Sequence, residues 1–190
     1  MPFGAVQLNG LQGEQFRAAQ RFLLDLSTDA MLKPYRERAG LPAPGNDIGG
    51  WYDNFPTNWF GRGFAPGHCL GQWISALARG HAITGDAAVK SKLAEVVNGY
   101  VLAVSPKFYA DLRYPTYTYE KLVFGLIEAH FLAGNEEALA ALTRAQLLRA
   151  RCNPRRQDEW LVRTDNRVLH LRPFTAIDDE SYTTYLTTTD

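Results

Sequence analysis

Apolar residues recur every three to four positions in several separate segments of the chain, which is the spacing of one face of an α-helix. The clearest of these segments begin at Phe16, Leu70, Leu93 and Leu122. Each is followed by glycine, proline or small polar residues, which end one helix and cap the next. The pattern therefore predicts an all-α protein built from consecutive helices.

One helix-ending pattern occurs twice. A histidine, three further residues, a glycine and then Asp or Asn occupy residues 81–86 and again residues 130–135. Glycine suits the end of a helix and Asp or Asn the start of the next, so each copy predicts a tight turn between two helices. A repeat of about this length is typical of stacked helical hairpins, in which neighbours bury each other's apolar faces. We expect His81 and His130 to stabilise helix ends.

Two longer segments rich in aromatic residues, 40–67 and 107–117, precede the repeated helices. We expect both to be loops, and both to emerge at the end of the bundle opposite the tight turns. Long loops of this kind often carry function. Their tyrosines and tryptophans either form the rim of a binding cleft or pack onto the helices beneath, and the sequence leaves both alternatives open.

Composition narrows the function classes. Apolar residues make up 46% and charged residues 21% of the 190 residues, with a formal net charge of zero. That balance is typical of a folded globular protein and gives no electrostatic footprint for a nucleic-acid partner. No apolar run is long enough to span a membrane, and no signal peptide is visible, so we expect no membrane partner and a cytoplasmic location.

Few residues could carry chemistry. His68 stands where the first aromatic loop meets a helix, and it either binds a ligand hydroxyl or caps the helix. Glu120 occupies the matching junction in the second repeat. A sugar hydrolase needs two carboxyl groups, or one and another nucleophile, beside the scissile bond. Glu128 would lie about 12 Å further along the helix, too far to pair with Glu120. Cys69 and Cys152 have no metal-ligand spacing.

Four segments together resemble glycoside hydrolase family 127, the β-L-arabinofuranosidase-like enzymes. Residues 67–78 are similar to the family pattern Gly-His-x-Leu-Gly-His-Tyr-Leu-Ser-Ala, and Gly49-Gly50-Trp51 matches its Gly-Gly-Trp. Residues 32–41 are similar to a helix ending in Ala-Gly-Leu. Residues 117–126 are similar to Tyr-x-x-(His/Asp)-Lys-x-x-x-Gly-Leu. The resemblance covers roughly residues 5–150.

The resemblance implies an (α/α)6 toroid followed by β-domains, and a retaining enzyme whose zinc-bound cysteine is the nucleophile and whose glutamate is the acid/base. Those catalytic residues lie downstream of the matched segments, and neither cysteine here aligns with the nucleophile. We therefore predict no catalytic residue, no metal ligand and no cofactor in this chain, and expect zinc only in full-length relatives. By resemblance, the predicted substrate-binding residues are Trp51, His68, Gln72, Tyr117, Glu120 and Lys121.

Two of these positions depart from the family pattern. Gln72 replaces the second histidine of its motif, and Glu120 stands where many members have histidine and some have aspartate. Both side chains can still hydrogen-bond a sugar hydroxyl.

We expect residues 1–150 to be the N-terminal part of the toroid, and residues 151–190 to be a basic connection and truncated tail of the same domain. The predicted function is a glycosidase fragment that acts on or binds terminal sugars of plant-type glycans and is inactive alone. The alternatives are a non-catalytic helical sugar-binding or scaffold fragment, or another α/α-toroid enzyme such as an epimerase or an unsaturated-uronyl hydrolase. An incomplete toroid would expose apolar faces, so we also expect self-association through its edge.

Overall fold

The structure, a computed structural model, describes residues 2–49, 52, 65–104 and 115–142, and the backbone of residues 160–164, 167–171 and 188–189. Up to residue 142 the elements are helical. They are α1 (Gly10–Asp25), α2 (Thr28–Ala39), α3 (His68–Thr84), α4 (Ala87–Ala103), α5 (Pro115–Ala133) and, within the described residues, α6 (136–142). The predicted stack of helices is confirmed.

Tight turns join the helices into hairpins, as the repeated pattern predicts. Gly85 and Gly134 both adopt positive φ (69° and 64°) and end α3 and α5. Their amides donate to the carbonyls of the two repeated histidines, at 2.7 and 3.0 Å. Asp86 then accepts from an amide of α4 at 2.8 Å, and Asn135 from an amide of α6 at 2.9 Å. The same sequence signal thus closes two successive hairpins.

Equivalent helices of successive hairpins run parallel. Thr28, at the start of α2, accepts a hydrogen bond from Lys92 of α4 at 2.9 Å. Nearer the other end, the rings of Tyr35 and Tyr100 meet edge to face, with centroids 5.1 Å apart. Helices α3 and α5 pack in the same way, and α3 also contacts α4. The result is two layers, with α2 and α4 in one and α3 and α5 in the other.

The core lies between these layers. Its largest fully buried side chains are Tyr35, Tyr100, Met31, Leu32, Leu70, Ile74, Leu77, Leu93, Leu122 and Leu126. Helix α1 contacts α3 and α4 but buries only Gly13 and Leu23 of its own residues. It is therefore the least enclosed helix of the described bundle.

The beginning of α5 differs from the sequence-based expectation. Residues 107–117 were expected to be a loop, but α5 begins at Pro115, so Tyr117 lies in the first turn of a helix. Proline suits this position, because its fixed φ fits a helix and its missing N–H would have no partner there. The prediction that Tyr117 is a loop residue is wrong, and the ring instead has a fixed place on α5.

The tail contains a small sheet that the helical pattern does not indicate. Strands β1 (Trp160–Thr164), β2 (Arg167–Leu171) and β3 (Thr188–Thr189) form an antiparallel sheet in the order β1-β2-β3. Thr164 pairs with Arg167, so only residues 165 and 166 separate the first two strands. The basic connection expected over 151–190 therefore includes paired strands.

Within the described ranges, no helix is both long enough and apolar enough to cross a bilayer.

Candidate functional site

His68 is the first residue of α3, at the end of the bundle opposite the tight turns. Gly67 precedes it with φ of +73°, and a Cβ at that position would come within 2.5 Å of the Tyr35 ring. Tyr35 donates its hydroxyl hydrogen to the Gly67 carbonyl at 3.0 Å, and the Gly67 amide donates to the backbone carbonyl of Tyr52 at 2.8 Å. This junction therefore has a fixed backbone path into the helix.

The His68 ring has a defined hydrogen-bonding pattern. Its Nδ1 lies 2.7 Å from the carbonyl oxygen of Ala65. Because a carbonyl oxygen only accepts, Nδ1 carries the proton, and neutral His68 presents Nε2 as an acceptor. The Sγ atom of Cys69 lies 3.1 Å from Nε2. Burial raises the pKa of the Cys69 thiol, so at neutral pH the sulfur keeps its hydrogen and donates it to Nε2.

Aromatic rings surround His68. Its centroid lies 5.8 Å from that of Tyr117 and 6.3 Å from that of Tyr52. The Tyr52 ring packs in turn against the tilted ring of Trp73, with centroids 4.8 Å apart. The Tyr52 hydroxyl donates its hydrogen to the Met31 carbonyl. Tyr52 is buried, whereas Tyr117 is exposed. Tyr117 is therefore the ring beside His68 that solvent, and hence a ligand, can reach.

The first turns of α5 bring two charged groups to this ring. The Lys121 ammonium lies 5.2 Å from the Tyr117 centroid, within cation–π range. It also lies 3.7 Å from Oε1 of Glu120, whose side chain is half-exposed. The four residues His68, Tyr117, Glu120 and Lys121, which we call the rim, thus form a chain of neighbours from α3 to α5.

Two glycines allow this approach. A Cβ at Gly71 would overlap the Lys121 carbonyl, and a Cβ at Gly125 would overlap the backbone of Gly71 itself. Helices α3 and α5 therefore touch backbone to backbone, one turn below the rim. Both glycines belong to segments that the sequence singles out, and their role is close packing of two parallel helices.

A buried ion pair holds the same two helices further down. Glu128 of α5 is 3% exposed and accepts hydrogen bonds from Ser75 and Arg79 of α3. Nε of Arg79 lies 2.8 and 3.1 Å from the two carboxylate oxygens. The guanidinium also covers the Phe124 ring, at 5.6 Å from the centroid. Sequence reasoning missed this network, although Arg79 and Glu128 are separated by the length of the repeat.

The structure places five of the six predicted binding residues. His68, Tyr117, Glu120 and Lys121 lie together in the rim, and Gln72 is exposed one turn along α3 from His68. Trp51 lies outside the described residues. That these side chains bind a sugar stays a prediction. What the geometry offers is a ring face, an imidazole acceptor, a carboxylate, an ammonium and an amide within a small area.

Neither a catalytic carboxylate pair nor a metal centre is formed by the described part of the chain. Glu128 is buried and bound by Arg79 and Ser75, so it cannot act together with Glu120. Within the same residues, no three His, Cys, Asp or Glu side chains come close enough to hold a metal ion. The donors present there do not fit the zinc of the family enzymes.

Comparison with protein families agrees with the helical fold and the sequence motifs of this chain. The comparison with curated proteins gave no match. The family model "Beta-L-arabinofuranosidase, GH127 catalytic domain" matches residues 5–160, which is most of the chain and includes every rim residue. The resemblance noted in the sequence motifs is thereby confirmed, and the chain belongs to the family of the glycoside hydrolase 127 catalytic domain.

Proposed function

We propose that the rim binds the terminal sugar of a plant-type glycan, as part of a β-L-arabinofuranosidase-like domain, and that this chain alone does not hydrolyse it. The observation that carries the proposal is the ring contact between His68 and Tyr117, 5.8 Å apart. It brings the matching ends of two repeats to one place, which a shared binding surface needs.

Each rim group suits a sugar. The exposed Tyr117 ring can contact the C–H side of a furanose ring beside the Lys121 ammonium. Nε2 of His68 accepts from a hydroxyl in competition with the Cys69 thiol. Glu120 accepts from two adjacent hydroxyls, and Lys121 or Gln72 donates to ring or glycosidic oxygens.

Lack of hydrolysis follows from the same geometry. Glycoside hydrolysis requires two carboxyl groups on either side of the bond, or one with another nucleophile. Among the described residues Glu120 stands at the rim without a second free carboxylate, because Glu128 is buried in its ion pair. This observation also favours the alternative, a sugar-binding fragment without catalysis.

Binding is testable by saturation-transfer NMR with L-arabinose and an aryl β-L-arabinofuranoside. We expect Tyr117→Ala to weaken binding at least tenfold, because the stacking surface is lost, and Tyr117→Phe to bind like the parent. Glu95→Gln is the matched control for Glu120→Gln, since Glu95 is an exposed carboxylate on α4. A Tyr117→Ala variant that folds and binds unchanged would contradict the proposal.

Hydrolysis is a separate measurement. We expect no release of the aryl group by residues 1–190. Release that disappears in Glu120→Gln would show that the chain is catalytic by itself, and the fragment interpretation would then be wrong.

Three further expectations stay predictions. They are the division into 1–150 and 151–190, a cytoplasmic location, and self-association through an exposed edge of the toroid.

A further inference from the structure

Helix α1 carries an exposed stripe, apolar at three of its four positions, on the side that faces away from the bundle. Leu11, Gln15, Ala18 and Phe22 follow the spacing i, i+4, i+7 and i+11, which places all four on one face. All are exposed, Leu11 by 63% and Phe22 by 60%. The buried residues of α1, Gly13 and Leu23, lie off this stripe, Gly13 on the opposite face of the helix.

Three exposed charged residues, Glu14, Arg21 and Asp25, flank this stripe on one side. Glu14 and Arg21 are seven residues apart, two helical turns, and both border the line from Leu11 to Phe22. Both side chains are exposed. Neither takes part in the ion pairs found among the described residues.

The stripe and its charges are self-complementary when two α1 helices run antiparallel. With Leu11 of one copy against Phe22 of the other, Gln15 faces Ala18 by the same two-fold axis. In an antiparallel pair, positions on the same flank of the two helices face each other. Glu14 of each copy is then offset from Arg21 of the other copy by about two residues along the helix axis. Long side chains span that offset.

We propose that α1 is a homodimer contact, and that the occupant of its exposed stripe is the stripe of a second copy of this chain, antiparallel to the first. A two-fold interface must be complementary to itself, and the order of apolar and charged residues on α1 meets that condition. The proposal is independent of sugar binding at the rim, because none of its residues belongs to the rim.

The contact is small. One four-turn helix from each copy buries less than the roughly 800 Å² per partner of a standard stable interface. The dimer is therefore reversible and concentration-dependent, and its two reciprocal ion pairs weaken with added salt.

Charge reversal gives a sharp test. In sedimentation velocity at low salt, we expect the chain to shift from monomer to dimer with concentration. Glu14→Arg alone and Arg21→Glu alone each place like charges across the two-fold axis, and each raises the dimer dissociation constant about tenfold or more. In an equimolar mixture of the two variants, a mixed dimer pairs the two introduced charges, which are opposite in sign. It also pairs the unchanged Arg21 of the first variant with the unchanged Glu14 of the second, so the mixture dimerises like the parent.

Further variants separate this contact from general stickiness. Phe22→Ser should weaken the dimer, and Leu102→Ser should not, although Leu102 of α4 is 79% exposed and equally apolar. All four substitutions are at exposed positions, and circular dichroism confirms that each variant folds. A chain that is monomeric up to its solubility limit overturns the proposal. So does a dimer that is indifferent to charge reversal, or a mixture that fails to re-form it.

Discussion

Gly71 and Gly125 lie backbone against backbone where α3 passes α5, and neither position has room for a Cβ. The contact is one turn from the rim, so it sets how closely His68 and Tyr117 approach. The first prediction concerns this contact.

Gly71→Ala should destabilise the protein by about 1–3 kcal/mol, because the added methyl forces two packed helices apart. Urea denaturation measures the loss. Gly80→Ala, in the same helix, is the control. Its Cβ would lie 2.7 Å from the movable end of Gln20, and alanine favours a helix over glycine by about 1 kcal/mol. Equal stability losses in the two variants would mean that the helix contact is looser than described.

The second prediction concerns the glycine before His68. Gly67 and Gly40 share a φ of +73°, so alanine at either position meets the same backbone strain of about 1–2 kcal/mol. Only at Gly67 does the Cβ also collide with the Tyr35 ring, whereas at Gly40 it meets nothing within 4 Å. Gly67→Ala should therefore cost about 1–3 kcal/mol more than Gly40→Ala in thermal or urea unfolding. A difference near zero would contradict the fixed junction.

The third prediction concerns the buried carboxylate. Removal of one partner from a buried ion pair costs about 3–5 kcal/mol, since the other charge is left without compensation. Because the Arg79 side chain is half-exposed, we expect Arg79→Ala to reduce the free energy of unfolding by an amount in the lower part of that range. A double-mutant cycle with Glu128→Gln isolates the coupling between the two side chains.

The matched control is the partly exposed Lys33–Glu37 pair of α2, an i,i+4 ion pair with an N–O distance of 3.2 Å. Its coupling should be about 0.3–0.5 kcal/mol. If the Arg79–Glu128 coupling were no larger than this, Glu128 would not hold the two helices together.

The fourth prediction concerns Cys69 and pH. Burial raises the pKa of its thiol in the folded chain, so the native state retains this proton at a pH where the unfolded state loses it. The thiol's contribution to stability is therefore complete below pH 9.0 and is lost as pH rises from there toward the folded pKa.

In a Cys152→Ser background, Cys69 is the remaining cysteine. We expect a disulfide reagent to modify it at least tenfold more slowly at pH 7.4 in the native chain than in urea. Cys69→Ser should flatten the part of the stability profile above pH 9.0 that depends on this thiol. Rapid native modification at pH 7.4 would show that the sulfur is not held as described.

Much of the fold follows from local signals. The Gly-Asx turns after His81 and His130 predict both hairpin closures, because glycine at positive φ and a side-chain cap are properties of a few adjacent residues. Gly71 and Gly125 stand within the family motifs, but their role, the close approach of α3 and α5, depends on a tertiary contact. The start of α5 does not follow from the aromatic residues before Glu120, which favour a loop. It agrees instead with the preference of proline for the first position of a helix, here Pro115.

The rim and its support were only partly visible. The register of the two repeats puts His68 and Glu120 at matching junctions, and the family resemblance also singles out Tyr117 and Lys121. In the structure the last two side chains lie between the first two. The Arg79–Glu128 pair depends on how α3 and α5 rotate against each other, which no single helix encodes. The pairing of β2 with β3, at Thr188 and Thr189, likewise joins segments that are distant in sequence.

Because α3 and α5 run parallel, the rim lies at one end of the bundle and the Gly-Asx turns lie at the other. Seventeen residues of α3, about 25 Å of helix, lie between the rim and the Gly85-Asp86 turn. A reporter peptide or an affinity tag inserted after Gly85 would thus project from the far pole of the bundle. The chain could be immobilised or labelled there while the rim, at the opposite end, stays open to solution.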